Sequence, residues 1–192
     1  MPPESAATSP TSPKSPPLPP PRNPSGPYRV LCVCLGNICR SPMAEVVLRA
    51  QLAAAGLQDR VIVDSAGTGD WHVGQTMNPP ARRQLERRGY DGSAHRARQV
   101  DAPWLAERDL ILAMDGSNLA NLRALAQEDG RRDDLPRIRL FGEVAGLDGA
   151  DVPDPWGGST TEFAEVLTML ETGMARIVSQ LRAVVGAAAT ER

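Results

Sequence analysis

The sequence predicts an α/β fold: a single domain with a four-stranded parallel sheet, helices on both faces, and a disordered N-terminal tail. Three observations predict it. Short continuous apolar runs alternate with longer amphipathic stretches, the pattern of strand and crossover helix. Loops rich in Gly, Asp and Pro separate the runs. Eleven of the 18 prolines fall in residues 1–27, leaving seven for the rest of the 192-residue chain. Residues 1–27 therefore read as a Pro/Ser/Thr-rich tail that cannot bury enough apolar surface to offset its ordering entropy. Residues 28–186 are the globular unit, long enough for a full core. Residues 187–192 are expected to fray.

Each element follows from local chemistry. Tyr28 to Leu35 is a short apolar run suited to a strand buried on both faces, and it stops at Gly36. Ser41 before Pro42 is an N-cap and first-turn proline, so a helix is expected there. Met43, Val46, Val47, Ala50, Ala53 and Ala54 continue it at helical spacing to Gly56. Val61 to Asp64 is a second strand ending at Gly67, and an Arg-rich helix is expected from Ala81 to Arg88. Asp109 to Met114 is a third strand, followed by a helix carrying Leu119, Leu122 and Leu125. Arg137 to Phe141 is the fourth strand. After a Gly- and Asp-rich loop, Ser159 and Glu162 form a capping-box pattern. Phe163, Val166, Leu167, Leu170, Met174, Ile177, Val178 and Leu181 then mark one long amphipathic helix. There is no internal repeat.

Charge and cysteine usage remove several function classes. The formal charge is −2, and Glu4, Lys14 and Arg22 leave the globular part near −3. That excludes the net basic face of a sequence-independent nucleic-acid binder. No apolar stretch approaches the roughly 18 residues of a membrane span, and the N-terminus lacks the apolar core of a secretory signal. Neither nucleic acid nor membrane is expected as a partner. Cys32, Cys34 and Cys39 lie within eight residues. An odd count without His at ligand spacing makes neither a disulfide framework nor a metal site. A reducing, cytoplasmic compartment is expected, with no metal or other cofactor.

The stretch that carries chemistry is Cys34-Leu35-Gly36-Asn37-Ile38-Cys39-Arg40-Ser41. A cysteine ends the first strand, a short loop follows and a helix begins at once. Ligands of open α/β sheets bind at that edge. Loop N–H groups and the helix N-terminus can converge there on an anion. A cysteine at the floor of such a nest is expected to sit as thiolate. Arg40 offers a planar two-pronged donor for phosphate oxygens. A thiolate beneath a bound phosphate can attack phosphorus in line, giving a cysteinyl-phosphate. The plainer reading is a turn that binds phosphate by its backbone alone, with an inert cysteine.

The segment from Val33 to Glu45 resembles the signature of the low-molecular-weight protein tyrosine phosphatases. The resemblance continues through Asp64-Ser65-Ala66-Gly67-Thr68, Trp71, His95-Arg96-Ala97-Arg98-Gln99 and Asp154-Pro155. It spans roughly Tyr28 to Val185 and implies the phosphotyrosine protein phosphatase I-like fold. It further implies a phosphatase that hydrolyses phosphotyrosine in proteins and small aryl phosphates. Cys34 would be the nucleophile, Arg40 the phosphate clamp and Asp154 the general acid and then base. Leu35 to Ser41 would bind the phosphate, Ser41 also donating to the thiolate. Asn37 would hold the loop in a strained backbone state, braced by Ser65 and His95, with Glu45 pairing to His95. For His95, a simply satisfied core histidine is an equal reading. Trp71 and Trp156 would wall the substrate cleft.

Other features stay open. Most members of that family carry two tyrosines after Asp-Pro, whereas this chain has Trp156 and Gly157, which puts selectivity in doubt. The family implies that Cys39 traps oxidised Cys34 as a disulfide; Cys39 could instead merely fill the loop. Cys32 reads as a small core hydrophobe. Asp148 and Asp151 read as solvated loop charges. Arsenate reductases share the fold but need cysteines downstream of Cys39, and none exists. Protein arginine phosphatases tend to carry threonine where this chain has Ile38. Finally, Pro17-Leu18-Pro19-Pro20-Pro21-Arg22 has the form of a polyproline ligand. It could make the chain a non-catalytic phosphate-binding adaptor, or be a passive extension.

Overall fold

Seven residues, Tyr28–Cys34, form the central strand β1. β1 pairs in parallel with β2 (Val61–Gly67) on one side and β3 (Leu110–Ala113) on the other; β4 (Ile138–Leu140) pairs in parallel with β3. The sheet order is therefore β2-β1-β3-β4. The computed structural model describes residues 17–190. Among the described residues six α-helices complete the domain: α1 (Arg40–Ala54), α2 (Pro79–Arg87), α3 (Ala102–Glu107), α4 (Gly116–Glu128), α5 (Phe141–Val144) and α6 (Thr160–Thr190).

Strand alternation splits the interior into two cores. Val30, Cys32 and Cys34 pack with the buried residues of α1, α2, α5 and α6, whereas Leu31 and Val33 pack with those of α3 and α4. Both faces of the sheet are thus covered, which is why β1 is apolar without a break from Val30 to Cys34. Phe163, Leu167, Leu170, Met174, Ile177 and Leu181 of α6 are almost wholly buried, each such side chain contributing about 1.5–3 kcal/mol. Ser159 and Glu162 close the expected capping box: the Ser159 N–H donates to Glu162 Oε2 (2.7 Å) and the Glu162 N–H to Ser159 Oγ (3.3 Å). Because β2 and β3 flank β1 on opposite sides, the winding reverses at β1. The loop after β1 leaves from that switch point.

Several boundaries differ from the sequence reading. β1 ends at Cys34, and Leu35 is partly exposed. Ser41 is not an N-cap: α1 begins at Arg40 behind Cys39, which makes no side-chain cap, and the Ser41 hydroxyl is turned to Cys34. Pro42 is accommodated because first-turn N–H groups lack helical partners anyway. α3, α5 and a 3-10 turn at Arg132–Arg137 were too short to show a period. α6 runs through Gly186 to Thr190, past the expected fray point, carried by the helix-favouring Ala187 to Ala189. Residues 191–192 lie outside the described residues.

The larger correction concerns the tail. Residues 1–16 lie outside the described residues, but 17–27 are laid along the N-terminal edge of the sheet rather than free of it. Leu18 is buried in the α1/α6 core. The Tyr28 hydroxyl donates to the Pro19 carbonyl (2.9 Å), and the Arg22 N–H donates to Asp109 Oδ1 (2.6 Å). Composition predicts disorder for such a stretch, but Tyr28 nearby and partners 80 or more residues away override it.

Candidate active site

The loop from Cys34 to Ser41 hangs on one residue. Asn37 is fully buried with φ 54°, the left-handed region that Asn tolerates better than most residues. Its side-chain amide donates to Ser41 Oγ and Ser65 Oγ (both 2.9 Å), its side-chain oxygen accepts from the Arg98 N–H (2.8 Å), and its carbonyl accepts from His95 Nε2 (2.7 Å). Ser65 Oγ donates onward to Glu45 Oε2. His95 is therefore both satisfied and bracing. Glu45 does not directly pair with it as expected: its direct partners are Ser65 and Arg49 (2.7 Å), and it acts on His95 through its field. Burial lowers the His95 pKa most, and the Arg98 and Arg96 charges lower it further; the Asn37 carbonyl and Glu45 pull the other way. The Arg98 guanidinium stacks over the Trp104 ring at 5.0 Å, and Arg108 does so at 4.9 Å.

The last residue of β2 has to be glycine for the loop to lie here. A Cβ on Gly67 would meet the Leu35 carbonyl oxygen at 2.7 Å and the Asn37 nitrogen at 3.1 Å. Close approach lets the Thr68 and Gly69 N–H groups donate to the Cys34 and Leu35 carbonyls (3.0 and 2.9 Å).

Cys34 Sγ lies 3.1 Å from Ser41 Oγ and accepts from the Asn37 N–H at 3.3 Å. Since the Asn37 amide donates into Ser41 Oγ, the Ser41 proton is free to point at the sulfur or at the Ala66 carbonyl (3.2 Å). Arg40 stands beside it, nearly buried. Its Nη1 donates to Asp115 Oδ2 (2.6 Å) and to the Val152 carbonyl (3.1 Å), and its Nη2 to Asp154 Oδ2 (2.7 Å). Arg40 Nε is buried with no hydrogen-bond partner among the described residues. The uncapped N-terminus of α1 adds further unpaired backbone donors. This cluster of donors fits an oxyanion.

A cleft of about 220 Å³ opens above Cys34 and Arg40. Leu35, Gly36, Ile38 and Cys39 line it with Asp154 and the exposed rings of Trp71 and Trp156. The sequence-predicted residues are thus brought together, Glu45, Ser65 and His95 behind the loop and the two indoles at its mouth. Two residues were missed. Asp115 caps α4, accepting from the Asn118 N–H (2.7 Å), while its other oxygen holds Arg40; an Asp just past β3, at the same sheet edge as Cys34, was the available signal. His72 lines the cleft beside Trp71, its Nδ1 2.9 Å from Gln75 Oε1. Asp151, expected to be a solvated charge, accepts from the Gly116 N–H at the start of α4 (3.0 Å).

All three cysteines are free thiols. Burial, then Cys34 and Asp154, push the Cys39 thiol up to about 12. Cys32 is fully enclosed in the α1/α6 core and burial drives its pKa up, as a small core hydrophobe requires. Among the described residues no helix is long and apolar enough to cross a membrane.

A switch-point loop that closes a cysteine and an arginine around one oxyanion-sized space, with a carboxylate at the rim, defines a phosphatase on a parallel α/β sheet. The chain belongs to the low molecular weight phosphotyrosine protein phosphatase family, whose model matches residues 29–186. It is 43% identical over 159 residues to a low molecular weight protein-tyrosine-phosphatase of Streptomyces coelicolor, covering 81% of this chain and 94% of that one. Among solved structures it resembles a protein tyrosine phosphatase of Entamoeba histolytica with Hepes in the active site (TM-score 0.74, 30% identity, 81% of this chain and 97% of that one). It also resembles the YwlE arginine phosphatase of Bacillus subtilis, in a cysteine-to-serine mutant with a phosphorylated active site serine (TM-score 0.72, 27% identity, 81% and 96%).

Proposed function

We propose that the protein hydrolyses phosphotyrosine in proteins, and small aryl phosphates, through a cysteinyl-phosphate on Cys34. The carrying observation is that Cys34, Arg40 and Asp154 meet in one cleft walled by two indoles. The phosphoryl group sits over Sγ, held by the loop N–H groups and by the arginine, which exchanges part of its carboxylate pairing for phosphate oxygens. The Asn37 N–H donates to the sulfur and Ser41 Oγ lies 3.1 Å from it, so both hold Sγ in place beneath the phosphoryl group. Sγ attacks phosphorus, the P–O bond to the phenol breaks, and Asp154 gives its proton to the leaving oxygen. Asp154, now a carboxylate, takes a proton from the water that attacks phosphorus and releases Sγ. The Trp156 N–H holds Asp154 Oδ1 at 3.1 Å, presenting the carboxyl to the cleft.

The apolar wall of Ile38, Trp71 and Trp156 supports a flat aryl group over a guanidino one. An arginine phosphatase is the second reading, favoured by the likeness to YwlE. The complete Cys34, Arg40 and Asp154 set supports an enzyme over an adaptor, and three free thiols suit a reducing cytoplasm. Cys34→Ser should abolish turnover of an aryl phosphate while keeping phosphate-analogue binding; retained turnover would sink the mechanism. Asp154→Ala should slow esters of weakly acidic phenols more than those of acidic ones, and equal slowing would remove Asp154 as the acid. Turnover of phosphotyrosine, phosphoarginine and phosphoserine peptides decides the substrate class.

A further inference from the structure

We propose that the N-terminal edge of the sheet, remote from the catalytic loop, is a binding site for an arginine-ended polyproline segment, filled in cis by residues 17–22. Four of these six residues are proline, with φ held near −65°, so the segment is pre-extended and loses little entropy on docking. A polyproline helix repeats every three residues. The carbonyls of Pro17 and Pro20, one turn apart, accept from Arg139 Nη1 and Arg137 Nη1, both at 2.9 Å. Between them Leu18 inserts into the α1/α6 core and the Pro19 carbonyl takes the Tyr28 hydroxyl. An apolar anchor, an aromatic hydroxyl and two arginines therefore read the chain by its carbonyls.

Arg22 is read separately. Its Nε donates to the Arg108 carbonyl (2.9 Å), its Nη2 to the Leu105 carbonyl (3.2 Å) and to Asp134, and its backbone N–H to Asp109. Asp109 is itself buried and takes the Arg29 N–H on its other oxygen (2.7 Å). One carboxylate and two carbonyls around the guanidinium, with a second carboxylate on the backbone N–H, make a built arginine socket, which a lysine could not fill in the same way. The family's shared unit starts at Arg29, so the ligand segment belongs to this chain's extension, whereas the socket residues Leu105, Arg108, Asp109 and Asp134 lie within the shared unit. With Arg22 held, the Pro17-x-x-Pro20-x-Arg22 face is withheld from aromatic-grooved partners that recognise the same chemistry.

The test uses the full-length chain and a synthetic peptide of residues 15–24. A variant with residues 17–22 replaced by a Gly/Ser run should bind the peptide, while the wild type, its site occupied, should not. Peptide carrying Arg22→Ala should bind at least tenfold more weakly. In the otherwise intact chain, Arg22→Ala and Asp134→Asn should each raise amide exchange at residue 22 by tenfold or more. Equal binding to wild type and variant overturns the proposal. So does no binding to the variant up to peptide concentrations on the order of millimolar, the range a short tether supplies, and so does unchanged exchange in both point variants.

Discussion

Replacing Asn37 separates the two devices that shape the catalytic loop. Asn37→Gly keeps the left-handed backbone at no steric penalty but deletes three buried hydrogen bonds, those to Ser41, Ser65 and the Arg98 N–H. At about 1 kcal/mol each, the loss is about 3 kcal/mol. Asn37→Ala deletes the same three and keeps a Cβ at φ 54°, which costs about 1–2 kcal/mol relative to glycine there, less the entropy that Gly loses on folding, about 0.5–1 kcal/mol. Alanine should therefore be the worse replacement by about 0.5–1 kcal/mol. For a domain of this size each kcal/mol moves Tm by about 2–4 °C, so Asn37→Gly should melt about 6–12 °C below the wild type, with Asn37→Ala lower still. Thermal unfolding gives both values, and turnover of an aryl phosphate should fall in the same order, because the N–H of residue 37 also contacts the sulfur. An alanine variant as stable as the glycine variant refutes the strain argument. Losses below about 1 kcal/mol in both refute the hydrogen-bond argument.

Gly67→Ala should push the Leu35 carbonyl outward and cut turnover at least tenfold, with about 1–3 kcal/mol of stability lost to overpacking; wild-type kinetics would show that the loop yields freely. His95 has a folded pKa below its unfolded value near 6.5, so the unfolded chain takes up the proton first as pH falls. Its contribution to stability is intact above 6.5 and drains away as pH falls from there through the folded pKa. Tm against pH should show this decline in the wild type and a flatter profile in His95→Gln; parallel profiles would exclude His95. Mild peroxide should form a Cys34–Cys39 disulfide, faster as pH rises, since the Cys39 thiol is held protonated up to about 12. Peptide mass mapping that finds only over-oxidised Cys34 would refute the pairing.

The cleft was legible in the sequence to the extent that its chemistry is local. Cys34 to Arg40 lie on one loop, and the buried strand before them and the helix after them are set by short-range patterning. Ser41 shows where local rules mislead: Ser-Pro satisfies the pattern of a helix start, yet the hydroxyl is held by the Cys34 sulfur, the Asn37 amide and the Ala66 carbonyl instead of capping the helix N–H groups. Asp115 and His72 could not be found from spacing, because each meets the site only once β3 and the Trp71 loop are folded against β1. Residues 17–27 of the tail depart from the sequence reading for the same reason. Their composition describes the unfolded chain correctly, but Asp109, Asp134, Arg137 and Arg139 lie too far along the sequence for any window to register.

The three tryptophans of this chain are distributed so that its own emission distinguishes occupancy from unfolding. Trp71 and Trp156 stand exposed at the cleft, where an oxyanion or aryl ring changes their surroundings directly. Trp104 is packed beneath two guanidinium groups, one of them on the residue whose N–H holds Asn37. A Trp104→Phe chain would leave a spectrum that reads ligand arrival alone. A chain with only Trp104 would follow the integrity of the loop's foundation, so no attached dye is needed to watch either event.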